Sequence, residues 1–67
     1  MADWYVVYEH GKKSPANPTR AAALHRAGED LRRMTPPQPS HIEGPDGETV
    51  SLIEIKAYYV THKAEFV

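Results

Sequence analysis

Thr49-Val50-Ser51-Leu52-Ile53-Glu54-Ile55-Lys56-Ala57-Tyr58-Tyr59-Val60-Thr61 admits two readings, and the choice between them decides the fold. Read as a strand, the stretch is rich in β-branched and aromatic residues. Ile53, Ile55, Ala57 and Tyr59 then share one face, and Val50, Leu52, Tyr58 and Val60 share the other. Read as a helix, Ser51 and Glu54 make a capping box, and Leu52, Ile55, Tyr59 and Phe66 line one side. Lys56 and Lys63 fall near the middle of that stripe, so the strand is the preferred reading. The chain is then α+β in the order β-α-β-β: a small three-stranded, mainly antiparallel sheet with one helix packed on one face. If the tail is helical the order becomes β-α-β-β-α.

Upstream of this stretch, Gly44-Pro45-Asp46-Gly47 is a turn signal between a short strand at His41-Ile42-Glu43 and a return strand from Glu48. Thr35-Pro36-Pro37-Gln38-Pro39-Ser40 stops any helix and makes a stiff, extended spacer. Before it, Thr19 to Met34 has helical periodicity: Leu24, Ala27, Leu31 and Met34 form the expected buried stripe, with Ala21 and Ala23 beside it. Asn17 suits the N-cap and Pro18 the first helical position. Gly28 weakens the helix by about 1 kcal/mol relative to Ala, which suggests a close backbone contact. Asp3 to His10 reads as the first strand, ended by Gly11-Lys12-Lys13. Trp4, Val6 and Tyr8 lie on one side of it and Tyr5 and Val7 on the other, so one helix cannot cover both apolar faces.

The 67 residues make one small domain, 1–67, with no room for a second module. A core of this size supplies only roughly 3–5 kcal/mol of net stability, so a partner is a natural supplement. There is no Cys, which removes disulfides, thiolate chemistry and sulfur-ligated zinc. There is no apolar run of about 18 residues, and Met1-Ala2-Asp3-Trp4 leads directly into the first strand. A cytoplasmic location without membrane attachment is expected. The formal net charge of −1 argues against a strongly basic or polyacidic chain. The charge is nevertheless uneven, with Lys and Arg concentrated in the first half.

No residue pattern carries chemistry. His10, His25, His41 and His62 have no metal-ligand spacing, so no metal is assigned. Glu9, Asp46, Glu48 and Glu54 have no surrounding acid–base motif, and Ser14, Ser40 and Ser51 have no nucleophile elbow. No Gly-rich phosphate loop exists, and neither a cofactor nor a small-molecule substrate is implied. The expected function is therefore a non-enzymatic protein-interaction module. It would act as a homo-oligomer or as an inhibitor-like accessory protein, of the kind phages encode, that binds a larger macromolecule. Its expected contacts are Trp4, Tyr5, Tyr8, Tyr58 and Tyr59 on an open sheet face, rimmed by Arg32 and Arg33. The alternative is a small nucleic-acid-binding regulator that sets Lys12, Lys13, Arg20, Arg26, Arg32 and Arg33 against phosphates.

Overall fold

The computed structural model describes residues 3–66. Met1 and Ala2, named above as leading into the first strand, lie outside them. The elements run β1 (Tyr5–Tyr8), α1 (Arg20–Arg33), β2 (Pro39–Glu43), a 3-10 turn (Pro45–Gly47), β3 (Thr49–Val50), α2 (Leu52–Thr61) and a second 3-10 turn (Lys63–Phe66). The order is thus β-α-β-β-α around a three-stranded antiparallel sheet, β1-β2-β3.

Register follows the apolar pattern. Val6 stands opposite Ile42 and Ile42 opposite Val50, so these three point together into the core, where they meet Ala23, Leu24 and Ala27 of α1 and Ile55 of α2. Trp4 belongs to the same cluster, and its ring lies across Gly44, where a β-carbon would collide with it. Both helices cover this one face. The opposite face carries Tyr5, Glu43 and Thr49 in one row and Val7 and His41 in the next. The outer edge of β1 is occupied by residues 13–17. Ser14 donates its N–H to the Val6 carbonyl (2.8 Å) and accepts the Val6 N–H on Oγ (3.0 Å), while Trp4 and Asn17 exchange two backbone bonds. The edge therefore offers no open ladder to another strand.

The hairpin turn forms where expected. Gly44 donates to the Glu48 carbonyl at 2.7 Å, and Asp46 and Gly47 take the left-handed conformation that such a tight reversal requires. Sequence and structure differ at three places. The first is the stretch 52–61, preferred above as a strand, which is α2. The Ser51 side chain accepts the Glu54 N–H at 3.3 Å and starts the helix, but the reciprocal half of the capping box is missing because the Glu54 carboxylate reaches Arg20 Nη2 at 2.9 Å instead. As a helix the stretch buries Ile55 against α1 and turns Lys56 to solvent. β propensity is a weak preference that such packing overrides.

The second difference is the cap of α1, which is Thr19 rather than Asn17: Thr19 Oγ1 accepts the Ala22 N–H at 3.1 Å. Asn17 is buried and spends its amide on the loop, donating to the Trp4 and Pro15 carbonyls at 3.0 and 3.1 Å. The third is Met34, which is not in the buried stripe. It is the left-handed C-cap of α1, 84% exposed, and Ala21 is exposed too. Gly28 is the close contact its position suggested, since the Phe66 ring rests on it where a β-carbon would stand.

Candidate functional site

Two surfaces concentrate unusual features. The first is built around Tyr8, at the end of β1. Its hydroxyl crosses to α1 and donates to Asp30 Oδ2 at 2.7 Å, and Asp30 Oδ1 lies 3.8 Å from Arg33 Nη1. Partial burial, then the hydrogen bond to Asp30 and the charge of that carboxylate, push the phenol up to about 12. Tyr8, Asp30 and Arg33 line both of two adjoining grooves. One, of about 370 Å³, continues through His10, Lys12, Lys13, Ser14 and Pro15 to Thr35, Pro36 and Pro37. The other, of about 530 Å³, continues through Asn17, Ala22, His25, Arg26 and Glu29. Local folding accounts for the arrangement. The loop after β1 folds back along that strand and brings Lys12 and Lys13 beside Tyr8, while Asp30, Arg33 and Arg26 recur at helical spacing on α1.

The second surface is α2. Its inner side supplies Ile55 to the core, with Leu52 and Tyr58 packed beside it. Its outer side presents Ile53, 80% exposed, and Val60, 70% exposed, two turns apart with exposed Ala57 between them. Lys56 and Lys63 flank this stripe, and neither has an ion-pair partner among the described residues. Behind α2, Phe66 closes an aromatic cluster: His25 stacks on it at 4.6 Å, Tyr59 lies at 5.2 Å, and Tyr58 stacks on His62 at 4.1 Å.

The face of the sheet that carries no helix is polar. Lys13 Nζ pairs with Glu43 Oε1 at 2.8 Å and sits 5.9 Å from the Tyr5 ring centre; His41 Nε2 lies 3.2 Å from Glu43 Oε2, and Ser40 Oγ 3.2 Å from His41 Nδ1. The Lys13 ammonium holds Glu43 below the usual carboxylate range, and Glu43 in turn raises Lys13. The Ser40-His41-Glu43 run lies outside both grooves.

The residues named from sequence are thus distributed over the molecule. Trp4 is in the core, Tyr5 alone of these aromatics is on the open sheet face, Tyr8 lines both grooves, and Tyr58 and Tyr59 are on α2 beside Phe66. Arg32 is exposed near the end of α1. Of the remaining basic residues, Lys12, Lys13, Arg26 and Arg33 converge on the grooves, whereas Arg20 is drawn away to Glu54. The aromatic set does not make one surface; four of the six basic residues do. Sequence reasoning missed Asp30, which interrupts the basic run yet anchors Tyr8, and the outward placement of Ile53, whose helical spacing to Ala57 and Val60 was the available signal. Among the described residues no three His, Asp or Glu side chains gather as metal ligands, and no helix is long and apolar enough to cross a membrane.

No family model, no curated protein and no solved structure matches the chain.

Proposed function

We propose that this chain is a non-enzymatic protein-binding module, working as a homo-oligomer or as an accessory protein seated on a larger macromolecule, with the outer side of α2 as its contact. The observation that carries the reading is the exposure of Ile53 and Val60 on a helix whose inner side already serves the core. Either side chain, fully buried against a partner, contributes about 1.5–3 kcal/mol. Ala57 between them lets a partner approach closely, as small residues at helix contacts do.

The non-enzymatic part of the reading draws support from placement. His41 and Glu43 lie on the open sheet face with Ser40 beside His41, none of them lining a groove, and Glu54 is committed to Arg20. The test is residue-resolved: amide shifts in a concentration series of the pure chain. Movement confined to residues 53–63 supports the homo-oligomer, and its loss in Ile53→Asp and Val60→Asp assigns the contact. If shifts are concentration-independent, the self-association form is wrong; if they cluster away from α2, the surface is wrong.

A further inference from the structure

The grooves that share Tyr8 use none of the α2 residues and carry an independent inference. Four cations line them, Lys12, Lys13, Arg26 and Arg33, against two carboxylates, Glu29 and Asp30. With Lys13 paired to Glu43, the excess is one unit, Lys12, Arg26 and Arg33 against Glu29 and Asp30, on a chain whose formal net charge is −1. Three of the cations have donors to spare. Lys12 has no ion-pair partner among the described residues. Arg26 donates through Nε to Asn17 Oδ1 at 3.1 Å, and its terminal nitrogens have no hydrogen-bond partner among the described residues. Among the described residues Arg33 makes only the long 3.8 Å contact. Lys13, by contrast, is occupied by Glu43. Asp30 is shared by both grooves, but its side chain is only 15% exposed, one oxygen accepts the Tyr8 hydroxyl and the other faces Arg33, so its charge is partly offset there.

The division into two lobes limits the ligand. Lys12 serves one lobe, Arg26 the other, and Arg33 stands in both. A single phosphate can occupy one lobe; a series of phosphates engages both. Tyr8, Pro15, Pro36 and Pro37 add apolar surface on the Lys12 side, against which flat rings can rest. We propose that the two-lobed groove across Tyr8, Asp30 and Arg33 binds a chain of phosphates, as carried by single-stranded nucleic acid or by inorganic polyphosphate, through Lys12, Arg33 and Arg26.

The experiment is fluorescence anisotropy of a labelled short oligothymidylate with the full chain, competed with inorganic polyphosphate and, separately, with inorganic phosphate. Binding is expected at low salt. Three phosphate contacts on a single strand give a log–log salt slope of roughly −2, and Lys12→Gln or Arg33→Gln each weakens binding several-fold and removes about 0.7 from that slope. Lys56→Gln on α2 and Lys63→Gln in the turn that follows it leave it unchanged. Polyphosphate displaces the oligonucleotide and inorganic phosphate at equal phosphate concentration does not; whichever of the two polymers binds tighter identifies the source of the phosphates. Absence of binding at low salt overturns the proposal, as does binding that the Lys56 and Lys63 variants weaken as much as the groove variants. Because the groove and α2 share none of these residues, loss of self-association in Ile53→Asp leaves this result untouched.

Discussion

Gly28 is a residue whose replacement reverses an ordinary rule. In an exposed helix interior, Gly→Ala stabilises by about 1 kcal/mol. Here the added methyl would meet the Phe66 ring, so Gly28→Ala is expected to destabilise the chain by about 1–3 kcal/mol in denaturant unfolding. In a Phe66→Ala background, itself costing about 3–5 kcal/mol, the same substitution should become neutral or stabilising. Equal effects in both backgrounds would mean that Phe66 does not rest on Gly28. Tyr8 gives a second residue-scale expectation. Its phenol ionises near 10.0 in the unfolded chain and near about 12 in the folded one. The stability it contributes is therefore complete below pH 10 and lost as pH rises through the folded value, because the unfolded state gives up its proton first. Tyr8→Phe should cost about 1–3 kcal/mol at neutral pH by stripping Asp30 of its donor, and should flatten the alkaline fall in stability. An alkaline profile identical to that of the parent would contradict the Tyr8–Asp30 bond.

Among the elements, α2 is the one whose identity turns on a small feature. Ser51→Ala removes the side chain that accepts the Glu54 N–H and is expected to cost about 1 kcal/mol; in a strand the same change would be close to neutral. Thermal unfolding of that variant checks it. The other elements were legible in the residues themselves: the aromatic and β-branched run of β1, the Gly44–Gly47 turn and the periodicity of α1 each rest on local pattern. Those patterns fail where a distant partner decides. Ser51 and Glu54 announced a helix, but Ile53, Tyr58, Tyr59 and Val60 have strand propensity, and only the packing of Ile55 between the sheet and α1 settles the matter. Asn17 has the chemistry of a cap and sits two residues from the real one, yet its amide is claimed by Trp4 and Pro15 across the loop. Met34 has the spacing of the α1 core stripe, but the helix ends there and the left-handed turn swings it out. The grooves were half visible. Four of the basic residues singled out converge, but that Tyr8 joins them through Asp30 depends on a contact spanning 22 positions.

At the scale of the whole molecule, the two surfaces proposed for binding are set on separate parts of a small core. Among the described residues ten apolar side chains are buried, Ala included, which is little reserve for a chain of this length. Association through α2 would add buried area without disturbing it, since Ile53 and Val60 contribute almost nothing to the folded chain by itself. Ile53→Asp and Val60→Asp should accordingly leave the unfolding midpoint of the dilute chain nearly unchanged, within about 0.5 kcal/mol, as expected for exposed positions. The two proposed contacts are expected to differ in their response to ionic strength: phosphate binding at the grooves would weaken steeply with salt, whereas apolar contact at α2 would not. The most direct measurement is therefore the solution mass of the purified chain by light scattering over a concentration series, at low and high salt, for the parent and for Ile53→Asp. A mass that rises above one chain with concentration, holds at high salt and reverts to one chain in Ile53→Asp is the expected result. A parent that remains a single chain at every concentration, or a variant that associates as the parent does, would contradict self-association through α2.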